Sequence, residues 1–313
     1  MRREGSPWQG IGAVVLKEMS DHLTSARMRV LEWLVVLVSL AALYAGTEQI
    51  RQTTSEDPFL LLKLFTTARE PLPSLVSFLS FLVPLMAIGL GFDAISGEHN
   101  RRTLSRILAQ PIYRDALLLG KFLAGLATIA ISLLALWLLI TGLGLLLLGQ
   151  PPSIEETVRS LMFFVVTVIY AGVWLALAVM FSVIFRSPAT AALVTLGVWL
   201  FLSVIWPVLS PAVAEILFAN SNDPGAAAIG AQVLSRLSPS TLYGETLLTL
   251  LNPGTRSLGP IYLSQLQGAV LGAPLPLGES FILAWPAVVG LAAGTILLFV
   301  AGYVIFQRQE IRA

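Results

Sequence analysis

Residues 160–185 read SLMFFVVTVIYAGVWLALAVMFSVIF, a stretch of 26 residues without Asp, Glu, Lys or Arg. A helix that crosses a bilayer needs about 20 consecutive apolar residues, and a soluble core helix seldom runs so long without a charge. The whole chain has the same character, since 56% of its 313 residues are hydrophobic and 12% are charged, against about 25% charged in soluble domains. The sequence therefore predicts an integral membrane protein.

Five more stretches predict membrane-spanning helices. Four of them, residues 71–92, 122–154, 187–214 and 280–307, contain no charged side chain. The remaining one, 33–47, is shorter but continues backwards past a single glutamate. We predict an all-α fold with six spans, at about 30–47, 72–92, 116–148, 160–185, 188–209 and 281–306.

The positions of Lys and Arg orient these spans. Six spans place both termini on one side of the membrane, and thirteen of the nineteen Lys and Arg residues fall on that side. Loops rich in Lys and Arg stay in the cytoplasm. We therefore expect a multi-pass protein with both termini in the cytoplasm.

An amphipathic segment precedes the first span, within residues 8–29. Ile11 and Val15 belong to an apolar stripe at helical spacing, while Lys17 and Asp21 fall on the other side. This pattern predicts a helix that lies in the cytoplasmic headgroup layer of the bilayer. The alternative is an ordinary helix packed on another protein.

The longest connection, 210–279, is expected outside, between the fifth and sixth spans. Two short helices are predicted within it, at 226–237 and 239–251. Leu247 and Leu250 are among several leucines that make the second helix unusually apolar for an outer loop. This composition suggests contact with the membrane surface or with a partner.

The connection between the second and third spans, 92–114, reads FDAISGEHNRRTLSRILAQPIYR. Asn100 can cap a short helix there, on which Leu104, Ile107 and Leu108 would share an apolar face beside a basic one. A short two-faced helix is suited to docking in a groove of another protein. The positive-inside rule alone would also place arginines here.

A series of short motifs runs through the chain in a fixed order. They are Lys17-Glu18, Asp93-x-x-x-x-Glu98, Thr103-Leu104, Leu108, Gln110-Pro111-Ile112, Arg114, Leu119-Gly120-Lys121, Leu237-Ser238-Pro239, Tyr243 and Phe306-x-Arg308-x-Glu310-Ile311. Together they resemble the permease subunits of type-2 ABC transporters, in particular the branch associated with copper-enzyme maturation such as nitrous oxide reductase assembly. The sequence departs from the family pattern at His99 and Arg102, near which that pattern carries Arg and Gly.

The resemblance implies a coupling helix around 101–108 that seats in a cleft of a separate cytoplasmic ATPase subunit. It assigns to this contact Glu98, Arg101, Arg102, Thr103, Leu104, Ile107 and Leu108. It also implies that ATP and Mg²⁺ bind to the ATPase subunit, and that a second permease copy or a paralogue completes the membrane part. The expected location is the inner (plasma) membrane of a prokaryotic cell.

The sequence offers no constellation for chemistry of its own. It lacks the phosphate-loop pattern Gly-x-x-x-x-Gly-Lys-Ser/Thr, it has no Cys, and its two histidines, His22 and His99, are far apart. We therefore expect no catalytic residue, no directly bound cofactor and no metal site. A net charge of +1 gives no support for a nucleic-acid partner. A membrane enzyme is the least favoured hypothesis.

Polar and small residues within the spans have two interpretations. They can line a route or a dimer contact, or they can allow helices to pack closely. Candidates for a route or dimer contact are Tyr170, Trp174, Thr195, Trp199 and Ser203. Candidates for close packing of the sixth span are Gly290 and Gly294.

Two functional hypotheses remain open. The first is an ABC permease, an exporter whose charge-free spans suggest an apolar or amphiphilic substrate. The second is a scaffold that moves no solute and relays ATPase motion through residues 210–279 to a periplasmic partner in metalloenzyme maturation. The sequence does not decide between a periplasmic partner and none.

Overall fold

The computed structural model describes residues 10–52, 59–68, 73–104, 113–219, 221, 223, 225–258 and 274–309. The described residues are helical with no strand, and six of their helices are long and apolar enough to cross a membrane. These helices, called spans 1 to 6, are Ala26–Gln52, Leu75–Gly91, Arg114–Leu148, Ile154–Ile184, Pro188–Leu217 and Leu277–Arg308. The predicted all-α membrane fold is confirmed.

Shorter helices occupy the connections. The N-terminal helix, Ile11–Thr24, precedes span 1, and Leu60–Thr66 lies between spans 1 and 2. The loop helix, Ser96–Asn100, follows span 2. Between spans 5 and 6 lie Ala226–Ser235 and the plug helix, Pro239–Leu251, so both helices predicted for that connection are present.

Local sequence signals set the ends of the spans. Span 4 begins with a capping box, in which the Glu156 N–H donates to Ser153 Oγ at 3.1 Å and the Glu156 carboxylate accepts from the Ser153 N–H at 2.8 Å. Ser187 caps span 5 with Pro188 at its first position, where proline's missing N–H costs nothing. Span 3 ends at Gly149, whose φ of 69° suits glycine.

Span 5 is longer than predicted. It was expected over 188–209, yet the helix continues to Leu217 with Pro211 inside it. Prolines are tolerated in membrane helices because local adjustments satisfy the freed backbone groups. Pro207 would clash with the carbonyl four residues earlier in a regular helix, and the π turn at Phe201–Ile205 accommodates it.

Span 4 forms the axis of the bundle. In its most apolar stretch 72% of the residues are buried, against 11% in spans 5 and 6. Small residues allow neighbours to approach it, since a Cβ on Gly91 of span 2 would lie 2.7 Å from the Ala178 Cβ. Spans 5 and 6 expose large apolar side chains, such as Val208 and Ile282, which suits lipid or another membrane subunit.

The N-terminal helix packs along the first turns of span 3. Val14 is buried, and Gly120 leaves room for it, because a Cβ on Gly120 would lie 2.7 Å from Val14 Cγ1. The helix was predicted within 8–29, but Ser25 separates it from span 1, whose Met28 N–H donates to Ser25 Oγ at 3.1 Å. The apolar stripe thus has a partner within the chain, a contact that sequence spacing does not indicate.

Candidate functional site

Several span ends meet on the side of the bundle that carries the N-terminal helix, here called the terminal side. Arg114, at the start of span 3, donates to the Gln309 carbonyl oxygen just after span 6 at 3.0 Å. The Gln309 side-chain amide donates to the Val183 carbonyl oxygen at the end of span 4 at 2.7 Å. The loop helix lies at this junction of spans 3, 4 and 6.

A buried ion cluster joins the N-terminal helix, the loop helix and span 3. The Lys121 side chain is 4% exposed, and its Nζ lies 2.9 Å from Glu18 Oε1 and 3.6 Å from Glu98 Oε1. The Thr103 hydroxyl donates to the Glu98 carboxylate. Lys17 contacts Glu18 from the exposed side at 2.9 Å. Since an unpaired buried ammonium is costly, the two carboxylates stabilise Lys121 and hold three elements together.

Burial and the neighbouring charges shift the pKa of Glu18 in opposite directions. Burial favours the neutral acid, but the charge of Lys121 and hydrogen bonds from Lys121 and Lys17 outweigh it, so the pKa of Glu18 is lowered. Burial also lowers the pKa of His22, one turn along the same helix. Glu18 therefore stays charged and His22 is biased towards its neutral form.

Two further contacts attach the loop helix to the bundle. Ser182 Oγ, near the end of span 4, accepts the backbone N–H groups of Ile95 and Ser96, both at 3.0 Å. Arg27, at the start of span 1, donates to the Asp93 carboxylate at 2.9 Å. The loop helix and its flanks are therefore fixed to spans 1, 3 and 4, so a displacement of the loop reaches all three.

The loop helix ends where a helix was predicted to begin. Asn100 is its last residue, so the expectation of an N-cap there is wrong. The Thr103 N–H donates to the Glu98 carbonyl at 3.0 Å and the Arg102 N–H to the His99 carbonyl at 3.1 Å, the Schellman pattern of a helix end. Arg102 has a φ of 56°, a left-handed conformation that glycine adopts more readily than other residues.

Two substitutions of Arg102 separate its backbone strain from its charge. Arg102→Gly relieves the left-handed strain and Arg102→Ala retains it, while both remove the guanidinium. We expect the glycine variant to be more stable than the alanine variant by about 1 kcal/mol. Thermal unfolding of the two purified variants in detergent measures the difference, and identical midpoints would contradict the assignment.

The predicted docking residues divide into accessible and inaccessible ones. Arg101 and Arg102 are exposed, whereas Leu104 is 5% exposed and belongs to the chain's own core. Ile107 and Leu108 lie outside the described residues. A cleft of about 670 Å³ opens beside Leu104, and its lining includes Ser96, His99, Ser182, Arg186 and Gln309. Among the described members of the predicted docking set, Arg101 and Arg102 are thus the exposed ones, beside exposed Asn100.

The residues considered for a route or a dimer contact lie inside one chain. Tyr170, Trp174, Thr195 and Trp199 are at most 5% exposed. The Tyr170 ring stacks on Tyr243 of the plug helix with 4.1 Å between ring centroids, and its hydroxyl donates to the Ser80 carbonyl of span 2 at 2.9 Å. Ser203 Oγ lies 2.6 Å from Ser240 Oγ of the plug helix. In this structure Tyr170 and Ser203 connect the plug helix to spans 4 and 5, whereas Trp199 packs on Phe81 of span 2.

The plug helix is inserted among the spans. Leu247, Leu250 and Leu251 are at most 3% exposed, and Leu248 alone of these four leucines is exposed, at 49%. The leucines that suggested contact with the membrane surface or with a partner therefore pack within the chain, except Leu248. Sequence composition revealed the apolar face but not the surface that covers it.

The two glycines of span 6 differ in their surroundings. A Cβ on Gly290 would lie 3.1 Å from Leu242 Cδ1 of the plug helix, so this glycine permits a close contact. Around Gly294 a Cβ would meet nothing within 4 Å. Close packing is therefore seen at Gly290 and not at Gly294.

A buried arginine fastens the plug helix on the other side of the bundle, here called the opposite side. Arg159 of span 4 is 0% exposed. Its guanidinium donates to the Glu155 carboxylate at 2.8 Å, to the carbonyls of Leu250 at 3.1 Å and Leu275 at 2.7 Å, and to Ser280 Oγ at 3.1 Å. The one local signal for this role of Arg159 in the sequence is its i,i+4 spacing from Glu155.

Fold and site together define a multi-pass helical membrane protein whose basic loop is clamped to several span ends. Among the described residues no group of three or more His, Asp or Glu side chains is placed to hold a metal ion. Residues 12–311 match the family described as ABC-2 family transporter protein. Because the match covers nearly the whole chain, the chain belongs to the ABC-2 transporter family, which confirms the resemblance. The description of this family agrees with the membrane-spanning helices of the fold.

Two curated relatives carry a more specific name. The chain is 33% identical over 113 residues to "Probable ABC transporter permease protein NosY" of Pseudomonas aeruginosa, covering 36% of this chain and 38% of that protein. It is 30% identical over 121 residues to a protein of the same name from Stutzerimonas stutzeri, covering 39% and 40%. The matched region thus spans about two-fifths of the length of these relatives.

Proposed function

We propose that the chain is the permease subunit of an ATP-driven exporter and that a separate ATPase subunit docks on its terminal side, in the cytoplasm. The observation that carries this proposal is the attachment of the loop helix to spans 1, 3 and 4 beside exposed Arg101 and Arg102. A partner that pushes on the arginines would displace Glu98 and, through it, Lys121. ATP and Mg²⁺ would bind to the ATPase subunit, so the permease itself would not be catalytic.

A second copy or a paralogue would complete the membrane part. The interior of the single bundle is filled around Tyr170 and Trp174, both 0% exposed. Spans 5 and 6 expose apolar surfaces, for example at Ile216 and Leu297, that another subunit could cover. A route for an apolar or amphiphilic substrate would therefore form between subunits rather than through one chain.

Removal of the exposed charges tests the docking assignment. We expect the double variant Arg101→Gln/Arg102→Gln to retain about tenfold less ATPase on copurification, since charges at the rim of an interface chiefly guide and register the partner. Arg29→Gln, an exposed arginine at the start of span 1, is the matched control and should retain the ATPase. Undiminished copurification with the double variant would contradict the proposal.

The same geometry favours a second candidate, a scaffold that relays motion without moving a solute. Span 4 holds Ser182 near one end and Arg159 near the other, which are about 35 Å apart at the helical rise. Motion at the loop helix could therefore reach the plug helix along one rigid element. In vesicles containing permease and ATPase, ATP-dependent movement of a fluorescent phospholipid supports the exporter. ATP turnover with no movement of phospholipids or apolar dyes favours the scaffold.

A further inference from the structure

A cleft of about 470 Å³ lies on the opposite side, between the plug helix and the start of span 6. It is remote from the loop helix, and the docking proposal does not use it. Its lining contains both charged and apolar side chains. The charged ones are Arg236, Glu245, Arg256 and Glu279.

The lining of the cleft follows span 6 towards the middle of the bilayer. Glu279 lies in the first turn of span 6, and Pro286, which also lines the cleft, is seven residues further, or about 10 Å along the helix. Ile282 is 72% exposed and the neighbouring Trp285 is 53% exposed. Tryptophan is enriched where membrane meets water, so the cleft runs along span 6 from its charged first turn to the boundary between lipid headgroups and acyl chains.

The lining of the cleft contains two positively and two negatively charged side chains. Arg236 Nε donates to both carboxylate oxygens of Glu245, at 3.1 and 2.9 Å, which orients this pair, and Arg256 and Glu279 line the same space. A simple anion would meet two carboxylates there, and a simple cation would meet two guanidinium groups. A zwitterion can satisfy both signs, because guanidinium binds phosphate well and a carboxylate accepts hydrogen bonds from a primary ammonium.

We propose that this cleft binds a zwitterionic phospholipid with a primary amine, of the phosphatidylethanolamine type, from the bilayer leaflet on the opposite side. The headgroup phosphate contacts Arg236 and Arg256, and the ammonium contacts Glu279. One acyl chain lies along Ile282 and Leu283 of span 6. The bound lipid would fill the space between the plug helix and span 6 and hold them at their observed separation.

Titration of the purified full-length protein with three lipids of identical acyl chains tests this site. Native mass spectrometry should show phosphatidylethanolamine bound about three- to tenfold more tightly than phosphatidylcholine or phosphatidylglycerol, because neither of the other headgroups offers an ammonium N–H. Glu279→Gln should abolish the preference. Glu215→Gln removes an exposed carboxylate of span 5 that does not line the cleft and should leave the preference intact.

The location is tested independently with a photoactivatable phosphatidylethanolamine in vesicles. Labelling should concentrate on residues 236–258 and 279–287. Equal binding of the three lipids, an unchanged preference in Glu279→Gln, or labelling spread evenly over the outer ends of all spans would overturn the proposal. Copurification of the ATPase is measured on the terminal side, so failure of the lipid site leaves the docking proposal standing.

Discussion

Lys121→Met is expected to destabilise the protein by about 3–5 kcal/mol, the usual cost of breaking a buried ion pair by removing one partner. Lys121 is 4% exposed and faces Glu18 and Glu98, which are 12% and 14% exposed. Without the ammonium, two carboxylates remain close together with little access to water. The N-terminal helix should then detach from span 3. Thermal unfolding in detergent measures the loss of stability, and limited proteolysis detects the detached helix.

Two controls separate the buried pair from general charge effects. Lys17 contacts the same glutamate but its side chain is 60% exposed, so Lys17→Met should cost less than about 1 kcal/mol. Adding Glu18→Gln to Lys121→Met should restore part of the stability, since it removes one of the two unpaired carboxylates. Equal effects of Lys17→Met and Lys121→Met would show that the cluster does not hold the junction.

Acidity should reduce the difference between the wild type and Lys121→Met. The pKa of Glu18 is lowered in the folded protein, so its stabilising contribution is complete above the ordinary carboxyl pKa. This contribution is lost as the pH falls through the lowered value, because protonation then removes the charge that Lys121 requires. A wild-type advantage that persists unchanged below that pH would contradict this role of Glu18.

The six spans could be predicted because the bilayer imposes a simple rule on sequence. Burying a charge in lipid is costly and the thickness of the bilayer is fixed, so stretches such as 160–185 identify a span without tertiary information. The residues at which each span begins and ends were harder to predict. Glu155, Glu156 and Arg159 argued against a membrane segment, yet they form the first turns of span 4. The length of an uncharged stretch indicates how much of a span lies in lipid. The helix itself continues beyond that stretch.

The sequence indicated which loop to consider for docking. It did not indicate the contacts that hold this loop to the spans. The motifs around Glu98 selected the loop on which the docking proposal rests, and the order of the motifs identified the family. Asn100 was misassigned because a residue suited to capping can also end a helix, and the choice depends on hydrogen bonds such as that from Thr103 to Glu98. Ser182 gave no local signal, since its role arises from a segment 86 residues away.

The sequence was equally unable to predict which surface the plug helix packs against. Its leucines revealed an apolar face, and the sequence could not tell whether lipid, a partner or the chain itself covers that face. Tyr170 and Tyr243 are separated by 73 positions in the sequence, and only the fold stacks their rings. Arg159 is predictable as a charged residue near a span end, but its burial depends on carbonyl groups supplied by two later segments.

Replacement of Arg159 should give the largest effect on the opposite side. Its guanidinium is fully buried and joins span 4 to the plug helix and to span 6. Arg159→Leu leaves the Leu250 and Leu275 carbonyls without this donor, and we expect a loss of about 3–4 kcal/mol. Arg159→Lys should lose about 2 kcal/mol, because an ammonium cannot reproduce the planar fork of the guanidinium. Thermal unfolding of the purified variants measures both values.

Release of the plug helix can be followed directly, because the chain contains no Cys. Thr246 lies on the plug helix and is 0% exposed, so Thr246→Cys should resist maleimide in the otherwise unchanged protein. In the Arg159→Leu background we expect rapid labelling at the same position. Arg29→Leu is the matched control, since Arg29 is exposed at the start of span 1, away from the plug helix, and its loss should cost less than about 1 kcal/mol. Continued protection of Cys at position 246 after loss of Arg159 would mean that the tyrosine stack and the buried leucines hold the plug helix without the arginine.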